Sequence, residues 1–154
     1  MYRIAARVWR LLNGRLQWRV MWLLHAKYTV GVTAVVRDDR GQVLLLRHRM
    51  WPPDRAWGLP TGYAARGEEF TETAVREVKE ETGLDVEPGR LVRLRSGYRL
   101  RVEVAYEALL VGGTLKADPF EILEARWFSP DDLPAGLMPA HRGLIHAPRV
   151  PSGR

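Results

Sequence analysis

Gly62-Tyr63-Ala64-Ala65-Arg66-Gly67-Glu68-Glu69-Phe70-Thr71-Glu72-Thr73-Ala74-Val75-Arg76-Glu77-Val78-Lys79-Glu80-Glu81-Thr82-Gly83-Leu84 holds most of the information in this chain. It predicts a helix from about Glu69 or Phe70 to Thr82. Phe70, Ala74, Val78 and Thr82 recur along one side, and Gly83 stands where a left-handed C-terminal cap belongs. Glu77, Glu80 and Glu81 occupy i, i+3 and i+4 of that helix, within an arc of roughly 100°. Like charges at this spacing repel and weaken an isolated helix. A hard cation such as Mg²⁺, or Mn²⁺ as a substitute, relieves the conflict, and with no cysteine and no local histidine pair nothing argues for zinc. Taken alone, the three glutamates read more readily as a solvated acidic face, the usual fate of charge runs on helices.

Upstream, the β-branched run Thr29-Val30-Gly31-Val32-Thr33-Ala34-Val35-Val36, the turn Asp38-Asp39-Arg40-Gly41 and the run Gln42-Val43-Leu44-Leu45-Leu46 predict strand, turn and strand. Residues 50–62 carry three prolines and two glycines and are expected to form an irregular loop. Downstream, extended segments are expected at 91–96, 99–111 and 122–128, and a short helix starting at Pro130-Asp131-Asp132-Leu133. Strands interleaved with helices make the chain an α/β or α+β domain.

Gly62, Glu68 and Arg76-Glu77-Val78-Lys79-Glu80-Glu81-Thr82-Gly83-Leu84 resemble, without a mismatch, the Nudix hydrolase signature G-x5-E-x7-R-E-U-x-E-E-x-G-U, where U is a bulky aliphatic residue. A chance match at a given start has odds of roughly one in a billion on average residue usage. The resemblance covers 23 residues directly and extends loosely over 29–133. It departs from many members at Thr61, where they carry a second glycine before Gly62.

The resemblance implies the Nudix fold, a mixed sheet between helices, and Mg²⁺-dependent hydrolysis of a phosphoanhydride bond in a nucleoside diphosphate linked to another moiety. The substrates it implies are nucleoside triphosphates, oxidised nucleotides, nucleotide sugars and dinucleotides. It makes Glu77, Glu80 and Glu81 metal ligands, with the Gly62 carbonyl beside them. Glu68 supports the loop, or a second metal through water, or is merely a helix N-terminal charge. Arg76 is expected to reach into the loop and fix Glu77 or Glu68. The general base, or an additional metal ligand, is expected from a later loop: Glu121, six residues before Trp127, is the first choice, with Glu124, Glu103 and Glu107 as alternatives. Trp51, Trp57 and Tyr63 are open to stacking on a base or to core packing. The four histidines lack metal spacing and are expected to be structural or solvated.

The net charge of +6 over 154 residues is unevenly spread. Residues 1–37 hold seven basic groups and no acid, leaving 17 basic against 18 acidic in the remainder. Arg3, Arg7 and Arg10 with Ile4, Val8, Leu11 and Leu12 predict a basic amphipathic helix ending near Asn13-Gly14, whereas Trp18 to Leu24 fits helix or strand. The expected division is a basic extension over 1–28, a hydrolase domain over 29–146 and a loose tail over 147–154. The extension is expected to pack on the body or form a homodimer, or, as the lesser alternative, to touch a membrane surface. No nucleic-acid motif accompanies its charge, and no run of eighteen apolar residues occurs. A cytoplasmic enzyme is the expectation, and a catalytically reduced Nudix fold serving as a nucleotide-binding or nucleic-acid-associated module is the alternative.

Overall fold

The computed structural model describes residues 2–96 and 100–147. The expected tail falls outside them beyond Ala147, as do Tyr98 and the side chains of Arg3, Ile4 and Val8 on the expected stripe.

Two helices lead: α1 (Tyr2–Leu11) and α2 (Gly14–Leu24). Asn13 separates them, accepting a hydrogen bond from the Leu16 amide at 2.9 Å, so the ambiguous Trp18 to Leu24 segment is helical with a side-chain cap at its start. The strands β1 (Thr29–Arg37) and β2 (Val43–His48) follow. The expected irregular stretch contains a 3₁₀ turn at Pro53–Arg55 and two short strands, β3 (Trp57–Gly58) and β4 (Thr61–Tyr63). Next come α3 (Phe70–Thr82), β5 (Leu84–Ser96), β6 (Arg101–Gly113), β7 (Ile122–Phe128) and α4 (Pro139–Ile145).

β1 is flanked by β6, running parallel from Thr29↔Arg101 to Arg37↔Leu109, and by β4, antiparallel through Val32↔Gly62. β5 extends the sheet beyond β6. The two strands expected on either side of the turn are hardly paired with each other: their register contains only Arg37↔Val43, and β4 takes the same edge of β1 further along, at Gly31 to Thr33. β2 instead runs between β3 and β7. Its turn is nonetheless built as read, with the Asp38 carboxylate accepting from the Arg40 and Gln42 amides and Gly41 at φ 77°.

Alternate residues of β1 and β2 divide two cores. Val32, Ala34, Val36, Leu44 and Leu46 pack with Ala74 and Val78 of α3, whereas Val35, Val43 and Leu45 pack with Leu144 and Ile145 of α4. Both faces are covered, so the strand sequences read as continuous apolar runs. The mixed sheet between helices is the architecture expected. The short helix is misplaced in the expectation: Pro130–Leu133 is a turn, and the helix begins at Pro139, another proline at a first helical position. Phe70 also departs from its expected place, staying 38% exposed at the start of α3 while Thr73 and Glu81 join Ala74, Val78 and Thr82 in the buried face.

Candidate active site

α3 is held at both ends. The Glu72 carboxylate accepts from the Glu69 amide at 2.9 Å, and Gly83 adopts φ 71° with its amide donating to the Lys79 carbonyl. The helix lies against β4, and the Glu77 carboxylate sits directly on Gly62. A Cβ on Gly62 would overlap the Glu77 carboxylate, so the glycine is needed to seat Glu77 against the strand.

The three carboxylates of one arc meet three environments. Glu80 is 61% exposed. Glu77 is half-buried, and burial raises its pKa against the lowering effect of Arg76, with the charges of Glu80 and Glu121 adding to the rise. Glu81 is only 4% exposed: its Oε2 accepts from the Thr61 amide at 3.2 Å, and its Oε1 lies 3.8 Å from His48 Nδ1. Burial pushes the Glu81 carboxyl up to about 8, the Thr61 amide opposes this, and the charges of Glu77, Glu121 and Asp118 reinforce it.

Arg76 ties the loop to the helix. Its Nη1 donates to Glu77 Oε1 at 2.7 Å and Glu80 Oε2 at 2.9 Å, its Nε to Glu68 Oε1 at 2.7 Å, and its Nη2 to Glu68 Oε2 and the Tyr63 carbonyl. Glu68 also accepts from the Ala65 amide and the Thr73 hydroxyl. The Arg76 guanidinium, with these donors, holds the Glu68 carboxyl down at about 2. Both expected targets of Arg76 are thus engaged, and the contacts of Glu68 are those of a residue fixing the loop.

Among the candidate bases, Glu107 is bound by Arg90 through two 3.0 Å hydrogen bonds, and Glu124 lies 3.3 Å from Arg126. Glu103 lines a cleft beside Arg101. Glu121 is exposed just before β7, and its charge acts on both Glu77 and Glu81.

The cleft, about 340 Å³, is lined by Thr61, Gly62 and Tyr63 of β4, with Trp51, His141, Arg93 and Arg101 among its walls. The three loop aromatics separate. Trp51 stacks on His48 at 3.8 Å, Tyr63 is exposed with its hydroxyl 3.1 Å from Arg101 Nη1, and Trp57 packs edge-on against Phe128 in the second core.

His48 and Asp118 escaped the sequence reading as neighbours of Glu81. The period of β2 carried a signal for His48, because Leu44 and Leu46 face α3 and His48 is the next residue in step. His48 and His141 are both buried, and burial brings each down to about 4. His141 accepts from the Leu59 amide at 2.9 Å.

The donor chemistry fits a hard divalent cation: Glu77 and Glu81 are carboxylates whose charge is raised in energy by burial and mutual repulsion, set against a glycine that leaves backbone accessible. Among the described residues no three His, Asp or Glu side chains converge as an ion-holding group. Arg76 occupies Glu77 and Glu80 in that place.

The NUDIX domain family matches residues 27–147. A putative 8-oxo-dGTP diphosphatase of Bacillus subtilis (strain 168) is 30% identical over 120 residues, 77% of this chain and 78% of that protein. The human 8-oxo-dGDP phosphatase NUDT18 is 34% identical over 109 residues, 69% of this chain, and the chain spans only 34% of its length. The crystal structure of a MutT Nudix hydrolase from Burkholderia pseudomallei superposes with a TM-score of 0.66 at 27% identity, covering 79% of this chain and 98% of that one. An unbroken signature running from β4 through α3 to the start of β5, in a fold shared with these relatives, places the chain in the Nudix hydrolase family, enzymes that hydrolyse nucleotide pyrophosphate bonds.

Proposed function

We propose that the chain hydrolyses a phosphoanhydride bond in a nucleoside diphosphate linked to another moiety, with Mg²⁺ as its metal. The observation that carries this reading is the meeting of Glu77 and Glu81 with β4, whose residues Thr61, Gly62 and Tyr63 also line the cleft. The ion, when bound, would neutralise phosphate oxygens and the charge that grows as water attacks. Glu77 and Glu81 would hold it with the Gly62 carbonyl, and Glu80 would join them on leaving Arg76. Arg76 keeps Glu77 oriented and, through Glu68, fixes the loop that carries Gly62. Glu121 is the base: its carboxylate accepts the water proton as the water oxygen bonds to phosphorus and the bridging phosphorus–oxygen bond breaks. Trp51 and Tyr63 offer ring faces to a nucleobase, while Arg93 and Arg101 give the cleft positive charge.

The two relatives described above are named for oxidised guanine nucleotides, so these belong in the panel of substrates beside nucleotide sugars and dinucleotides. The test is release of phosphate or pyrophosphate from a nucleotide panel in Mg²⁺ or Mn²⁺, with EDTA as control. Metal-dependent turnover of at least one nucleotide is expected. The second reading, a binding module without turnover, draws on the pairing of Arg76 with Glu77 and Glu80. Nucleotide binding without hydrolysis in either metal would establish it instead.

A further inference from the structure

The hydrolase reading leaves α1 and α2 without a role. Among the described residues neither core includes one before Val30, and α2 contributes no buried residue. Large apolar side chains nonetheless project into solvent along this segment: Trp9, Leu11, Leu16, Trp18, Met21, Trp22, Leu23 and Leu24, of which Trp18 is 63% and Leu24 76% exposed. So much apolar surface in one segment marks a contact site. Arg10, Arg15 and Arg19 lie between these residues, Arg7 and Lys27 flank them, and residues 1–28 contain no acid. Lys27 sits 4.4 Å over the Trp22 ring.

Charge and apolarity together select the occupant. A second copy docked through the same helices would bring two all-basic segments together with no carboxylate from either to offset them. A nucleic acid would satisfy the arginines but leave the leucines and Met21 in water. An anionic lipid surface satisfies both, taking the tryptophans and leucines into the boundary between headgroups and chains while the arginines meet lipid phosphates. No helix among the described residues is long and apolar enough to cross a bilayer, so the contact lies in the plane of the surface. We infer that α1 and α2 form a docking surface for an anionic membrane, independently of what the hydrolase site turns over.

The test is sedimentation of the full chain with vesicles of phosphatidylglycerol and phosphatidylcholine, against phosphatidylcholine alone, at low and high salt. Binding is expected only to the anionic vesicles, weakening at least about tenfold at high salt, with a blue shift of tryptophan emission. R15Q/R19Q and W22S/L23S should each lower that binding at least about tenfold, since one removes charge and the other apolar area. Circular dichroism of each variant shows that the fold is kept. Absence of vesicle binding at low salt overturns the proposal. So does a dimer in light scattering that W22S/L23S dissociates while vesicle binding is unchanged, or duplex DNA bound more tightly than anionic lipid.

Discussion

Glu80 and Glu81 are adjacent on α3, yet one faces solvent and the other is enclosed by Thr61 and His48. That difference divides the outcome of the same substitution. Glu80→Gln and Glu81→Gln should both lower Mg²⁺-dependent turnover by about 100-fold or more, because an amide keeps the shape and loses the charge that binds an ion. Wild-type rates in either would remove it from the ligand set. Glu81→Gln should also stabilise the metal-free protein. With its carboxyl raised to about 8, folded Glu81 retains a proton that the unfolded chain loses near 4.5, so stability falls as pH rises from about 4.5 to about 8. Melting in EDTA should therefore show the variant above wild type at pH 8 and level with it at pH 5, each unit of displacement being about 1.4 kcal/mol. An equal gap at both pH values would mean that Glu81 is ionised in the fold. Glu121→Gln should depress kcat by about 100-fold with little change in KM, as expected of a proton acceptor that acts in the transition state. The same loss in Glu103→Gln or Glu124→Gln, with Glu121→Gln active, would move the base to that residue.

At the scale of elements, α3 and the strand β1 were plain in the sequence because their signals are local: an i+4 apolar side closed by Gly83, and a β-branched run. Gly83 offers a check. Its φ of 71° and the closeness of a Cβ there to the Thr114 carbonyl make Gly83→Ala unfavourable on two counts. The left-handed conformation alone costs about 1–2 kcal/mol, so melting should drop by roughly 2–8 °C at this chain length. Metal-dependent kcat should survive, because Gly83 touches none of the carboxylates, and an unchanged melting temperature would show that the cap is dispensable. Elements fixed by distant partners were less legible. β2 pairs with β1 only at Arg37↔Val43 and otherwise lies between β3 and β7, and nothing near Val43 announces those distant partners. α4 was misplaced because Pro130 and Pro139 carry the same local start signal, and only burial of Leu144 and Ile145 against Val35 and Leu45 distinguishes them. The site follows the same division. The helix that carries the three carboxylates could be read from the signature, whereas His48 and Asp118 reach Glu81 from β2 and the loop before β7.

Over the whole molecule, charge and core are segregated: the cores begin at Val30, whereas the surplus of positive charge lies before residue 38. Among the described residues, removing 1–28 deletes no member of either core, none of the signature carboxylates and none of the cleft-lining side chains. The truncated chain is therefore expected to fold and to hydrolyse soluble nucleotide with unchanged kcat/KM. It loses Trp9, Trp18, Trp22 and the exposed leucines of α2, so its solubility should rise and its binding to anionic vesicles should vanish. Light scattering and vesicle sedimentation, run beside a nucleotide assay, separate the outcomes. Unchanged mass with lost vesicle binding fits an appended membrane contact, and a fall from dimer to monomer would make the helices an assembly device instead. A truncated chain that melts cooperatively yet turns over nothing would mean that α1 and α2 serve the cleft, and the boundary at residue 28 would then cut through the catalytic unit.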